Sequence, residues 1–200
     1  MSGKNPNRRA KIRFGTAIVV LFAACAIGQG TLIYDQQSFN ESNYGEFPAN
    51  IQASQPIGQS FTPSLSGIDF VRFYLTDRTT DGIGTVAYVN IRVGSITGAV
   101  ISSTSPVALS DQFHGATNFF FSTQVPVTPG GTYYLQPVIQ SGEDFGISYD
   151  TFRYPGGTAF FNGSPDAFDD LWFREGTVPE PSAAGMLLIG AVMFAHARRK

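Results

Sequence analysis

Between residues 31 and 177 no apolar stripe of helical period occurs. Short runs rich in Val, Ile, Phe and Tyr are interrupted instead by Gly, Pro, Ser and Thr. Such a chain has no helical face to bury, and the pattern predicts an all-β fold. Residues 86–93 carry the clearest signal. Ala87, Val89, Ile91 and Val93 alternate with Val86, Tyr88, Asn90 and Arg92. Period-two alternation turns the first set to a core and the second to water. Residues 67–76 are nearly continuous in apolar and aromatic side chains. Asp81-Gly82 between these runs predicts a hairpin turn that makes them antiparallel neighbours.

Further strands are expected at 31–36, 58–61, 99–103, 118–122, 132–140, 145–149, 158–161 and 171–174. Residues 40–55 are polar, carry Gly45 and Pro48, and read as a long loop. Phe119-Phe120-Phe121 looks too apolar for an exposed edge. Pro137 has no N–H, so its strand should border an edge or a bulge there. About nine or ten strands spaced by turns predict a β-sandwich of jelly-roll type, with first and last strands side by side.

The ends read differently. Residues 1–13 hold Lys4, Arg8, Arg9, Lys11 and Arg13 and no acid; an apolar run from Phe14 to Ile27 and small residues follow. That order is a secretory signal peptide, read here as a helix over 1–28 with cleavage favoured at Gly28. The single cysteine, Cys25, follows Phe22-Ala23-Ala24. This loosely resembles a lipoprotein cleavage site, although Phe22 departs from the usual aliphatic residue. Without lipidation the mature protein has no cysteine and relies on packing alone.

At the other end Pro179, Glu180 and Pro181 break the chain, and Ser182 can cap an apolar helix over 183–197 that closes on Arg198, Arg199 and Lys200. About 15 residues rise about 22 Å, short of the roughly 30 Å hydrocarbon core, so spanning would need thinning or snorkelling. Motif, helix and basic tail together resemble the PEP-CTERM sorting signal of Gram-negative bacteria. The resemblance implies an exosortase-type membrane protease or transpeptidase as partner, cleavage near the motif, and delivery to the cell surface or extracellular matrix. An ordinary tail anchor is the alternative. The division expected is 1–28 leader, 29–177 sandwich and 178–200 sorting signal, with the export translocon as a further partner and the C-terminal helix in the membrane before processing.

Charge constrains the rest. Of 13 Lys and Arg, those outside the two ends are Arg72, Arg78, Arg92, Arg153 and Arg174, while all 15 acids lie between Asp35 and Glu180. An exported part this acidic argues against nucleic acid as a partner. It suits solubility outside the cell and leaves room for divalent cations.

Catalysis has little support. His114 is the only histidine before the tail, and Gly-x-Ser-x-Gly is absent; no enzyme is expected. The acidic clusters are Glu143-Asp144 and Asp166, Asp169 and Asp170, in turns beside Gly. Solvated turn residues are the ordinary reading. Asp166, Asp169 and Asp170 could instead hold a structural calcium, since hard cations take loop carboxylates; no other cofactor is expected. A glycosidase pair is a distant alternative.

The polar sides of the strands are more informative. Arg72 shares a face with Tyr74; Tyr88, Asn90 and Arg92 share another; Tyr134 pairs with Gln136, and Trp172 with Arg174. Aromatic faces stack on sugar rings while Arg, Asn and Gln bond hydroxyls, so an exopolysaccharide is the expected ligand. The same residues could simply stiffen the sheets. Residues 58–62 (GQSFT) and 128–135 (TPGGTYYL) look like exported β-sandwich domains similar in architecture to carbohydrate-binding modules.

Overall fold

The computed structural model describes residues 31–179 apart from Glu41 and Glu46. The leader with Cys25, the sorting residues from Glu180 onward and both expected helices lie outside the described residues. Residues 32–178 group as one compact unit. Among the described residues there is no helix.

The strands are β1 (Ile33–Gln37), β2 (Phe47–Asn50), β3 (Gly58–Phe61), β4 (Gly67–Thr76), β5 (Thr85–Val93), β6 (Ala99–Ser103), β7 (Val107–Leu109), β8 (His114–Pro126), β9 (Tyr133–Gly142), β10 (Gly146–Asp150), β11 (Ala159–Phe161), β12 (Ser164–Pro165), β13 (Asp170–Leu171) and β14 (Phe173–Thr177). They form two antiparallel sheets. The first runs β1-β14-β4-β10-β13, with β8 on β4 and β2 on β10; the second runs β12-β11-β3-β9-β5-β6, with β7 on β5. Alternation builds the core between them. Val71, Phe73 and Leu75 of β4, with Phe119, Ile147 and Phe173, join Ala87, Val89 and Ile91 of β5 and Phe61 and Leu135 in one buried cluster. Phe61 and Phe173 meet from opposite sheets at 6.3 Å between ring centroids.

First and last strands do lie side by side: Ile33 faces Thr177 and Tyr34 faces Gly176. Pro137 sits opposite Val89, whose N–H and C=O are both taken by Thr104. On its other side β3 has ended, and the Gln55 side chain donates to the Pro137 carbonyl at 2.8 Å. The missing N–H therefore costs the ladder nothing.

Three expectations fail. Residues 67–76 and 86–93 are not neighbours: β4 has β8 along one edge and β14 and β10 along the other, so β5 joins the second sheet. Asp81-Gly82 turns a crossing loop, with Asp81 Oδ1 accepting from the Ile83 N–H at 2.9 Å. The expected loop at 40–55 contains β2, an edge strand paired to β10. The Phe119–Phe121 run belongs to a longer strand, β8, whose pairing is to β4 alone among the described residues. Phe119 and Phe121 are buried, but Phe120 points outward, 43% exposed, against Phe70. An apolar triplet can occupy an edge when alternation buries two of its members.

Candidate functional site

The outer face of the first sheet gathers Arg72 and Tyr74 of β4, Arg174 of β14 and the adjoining Trp172. Arg72 stands opposite Arg174 and donates to the Tyr34 hydroxyl at 3.2 Å. The Arg174 guanidinium lies 4.8 Å from the centroid of Tyr34 and 5.4 Å from that of Trp172. The face is not open. The indole N–H of Trp172 donates to the carbonyls of Asn40 and Asn43 at 3.2 and 3.0 Å, and Tyr44 stacks on Tyr74. Trp172 is wholly buried and Arg174 nearly so. Trp172 is buried apart from the main core cluster, where it anchors the segment that crosses the sheet.

The outer face of the second sheet carries the other predicted residues. Register places Asn90 beside Gln136 and Arg92 beside Tyr134. Gln136 is the hub: its Oε1 accepts from Arg92 Nε at 2.7 Å and Asn90 Nδ2 at 3.2 Å, and its Nε2 donates to Gln55 at 2.8 Å. Asn90 Oδ1 accepts from Ser103 at 2.6 Å, and Arg92 Nη1 donates to the Gly98 carbonyl at 2.5 Å. Asn90 and Gln136 are buried. Their polar atoms serve the sheet rather than solvent. Tyr134 packs edge-on against Phe160 at 5.6 Å. Tyr88 differs: with Ser103, Thr104, Pro106 and Gln140 it lines a depression of about 370 Å³.

The carboxylates are also rearranged. Asp166 accepts from the N–H groups of Phe168 and Asp169. Asp170 turns inward, taking Gln59 Nε2 at 2.8 Å and the Tyr154 N–H at 2.7 Å. Burial still pushes its carboxyl above the ordinary range. Asp166 and Asp170 thus serve different partners, while burial and then the charges of Asp166, Asp150 and Asp170 push the Asp169 carboxyl above its usual value. The acids that do converge are Asp77, Asp111 and Glu143, each with a carboxylate oxygen within 4.8 Å of the others. For Asp77, burial raises the pKa, but N–H donors from Thr79 and Gln112 outweigh it and hold the group low. The Thr79 hydroxyl draws Glu143 down, but desolvation and the charges of Asp77 and Asp81 push it above its usual value. Oxygens so placed could take a hard cation. Asp77 and Asp111 stand far apart in sequence, each a lone acid, and only the packing of Asp77 against the 110–113 turn unites them.

Glu175 is the least expected residue. It lies on β14 opposite Val71, wholly buried, and neither carboxylate oxygen makes a well-formed hydrogen bond, although the Asp35 carboxyl and the Gln36 N–H lie near enough to act on it. Burial and the neighbouring Asp35 carboxyl push its pKa up to about 9. A bulge in β1 sets Asp35 there, bonded to the N–H groups of Ser64 and Leu65 at 2.7 and 3.0 Å. An acid in a short final strand gives no warning of this in sequence.

Just beyond Glu175 the sheet ends. Thr177 is the last paired residue, and the Val178 N–H donates to Asp69 Oδ2 at 2.9 Å. Residues 177–200 match the family described as PEP-CTERM protein-sorting motif. The chain carries that sorting signal. A PEP-CTERM signal implies export, exosortase processing at the membrane and sorting to the surface. A comparison with curated proteins finds no match. What the sheets do after sorting must be read from their own geometry.

Proposed function

We propose that this chain is a non-enzymatic protein of the cell envelope or extracellular polysaccharide matrix that binds glycan on the outer face of its second sheet. The leader engages the export translocon, the apolar run over 183–197 holds the chain in the membrane, and exosortase processing delivers the sheets to the surface. One observation carries the glycan reading: Tyr88 borders an open depression whose other walls include Ser103, Thr104 and Gln140. An aromatic wall beside hydroxyl and amide groups is suited to a sugar ring and its hydroxyls. On the first sheet the aromatic rings of Tyr74 and Trp172 are engaged instead by Tyr44 and by the Asn40 and Asn43 carbonyls.

The test is binding of the purified surface form to a glycan array and to isolated matrix polysaccharide, compared with Tyr88→Ala and Tyr134→Ala. Loss in Tyr88→Ala with an unchanged melting temperature supports the reading. Binding indifferent to both substitutions removes it. A structural or adhesive role without a specific ligand is the second reading, favoured by the closed network of Asn90, Arg92, Gln136 and Gln55. Absence of binding to every glycan, with the protein retained in the matrix, selects that role.

A further inference from the structure

We propose that the end of β14 is a releasable strand, latched by Asp69, which must peel from β1 and β4 before the sorting motif can be cut. This rests on the sorting reading. Gly176 faces Tyr34 on one side and Phe70 on the other, Thr177 faces Ile33, and Val178 is held by Asp69. Pro179, the first motif residue, follows directly. Only Val178, itself bonded to Asp69, separates sheet from motif.

Enzymes that act on peptides commonly take them extended, through main-chain hydrogen bonds of the strand-addition kind. The residues preceding the motif have those groups engaged in the sheet. A cut near the motif with strand residues upstream in the enzyme's cleft therefore requires the strand to open first. Strand ends open locally at far lower cost than whole domains unfold.

Three features set this opening. Pro179 has no N–H to extend the pairing past Val178, and the Asp69 bond is the last hydrogen bond of this strand among the described residues. That bond is exposed and shared, since Gln124 also donates to Asp69 Oδ2 at 3.2 Å. Glu175 acts in the opposite sense to pairing. A wholly buried carboxyl without a well-formed hydrogen bond, set beside a second carboxyl at Asp35, is held at a penalty, and release returns it to water. The strand leading into the motif is therefore latched at its tip and weakened at its root.

The experiment follows shortening of the full chain in membranes that hold its exosortase. In a Cys25→Ser background, Ile33→Cys with Thr177→Cys allows β14 to be tied to β1 across their facing pair. The oxidised form should stay uncut and the reduced form should be cut as the parent is, which controls for folding. Asp69→Ala should speed cutting about fivefold, the population gain from losing one net hydrogen bond. Glu175→Gln should slow it. Hydrogen exchange on the full chain in micelles gives an enzyme-free measure: the Thr177 and Val178 amides should exchange well before those of β4. Oxidised protein cut at the parent's rate, or Thr177 and Val178 amides exchanging only with global unfolding, overturns the proposal. A parent chain never shortened overturns the sorting reading and this proposal with it.

Discussion

Tyr44 stacks on Tyr74 with ring centroids 4.4 Å apart and planes 7° from parallel. His114 meets both rings edge-on, at 5.6 and 5.1 Å. The stack closes the face on which Trp172 lies, and Trp172 is the chain's single tryptophan. Removing the Tyr44 ring should cost about 1–2 kcal/mol, from the pair and its burial. Tyr44→Ala should therefore lower the melting temperature and let acrylamide quench Trp172. Fluorescence as shielded as in the parent would mean that the crossing segment holds without its tyrosine.

Burial of Glu175 has a pH consequence whose sign is fixed. Its folded pKa, about 9, lies above the ordinary carboxyl value of 4.5. The folded state thus holds a proton that the unfolded state loses first. The group's contribution is complete below the unfolded pKa and is lost as pH rises towards 9. The loss is at most about 1.4 kcal/mol per pH unit across that window. Stability by denaturant melts should fall from pH 5 to pH 8, and Glu175→Gln should flatten the slope. An unchanged slope in the variant would place the titrating group elsewhere.

Individual strands were legible where alternation met a buried face. Residues 58–61, 67–76 and 99–103 match β3, β4 and β6 at both ends. Sheet membership was not legible. Asp81-Gly82 has hairpin chemistry, but both edges of β4 are already occupied by distant strands. β2 was hidden because Phe47-Pro48-Ala49-Asn50 reads as a turn until β10 offers an edge to pair with. The face groupings of the candidate site hold, yet exposure does not follow from them. Trp172 and Gln136 lie on outer faces and are still buried, one under a crossing segment and one by its neighbours' side chains. Period two reports direction, not what lies above a face.

Asp77, Asp111 and Glu143 make a third prediction. Glu143 is raised by its surroundings, so its ionisation opposes folding at neutral pH. With divalent cations removed by EDTA, Glu143→Gln should raise the melting temperature. Asp77→Ala should do the opposite, because the Thr79 and Gln112 N–H groups lose their acceptor, at about 1–3 kcal/mol. Equal effects of the same sign would show that the three carboxylates do not act on one another.

Gln136 separates a structural network from a ligand surface. It accepts from Arg92 and Asn90 and donates to Gln55, all from a buried position. Leucine at this position keeps the volume but leaves donors on Arg92 and Asn90 and an acceptor on Gln55 without partners. Each orphaned group costs about 1–3 kcal/mol, and members of a network do not add simply. Gln136→Leu should therefore destabilise the protein by several kcal/mol, on the order of one to three such groups. The deficit should shrink when Asn90→Ala is added, because one orphan disappears. A binding residue would behave otherwise, with stability kept and glycan retention lost. Measuring both quantities on Gln136→Leu and Tyr88→Ala should give opposite patterns, and matching patterns would mean that the network and the Tyr88 depression form one surface.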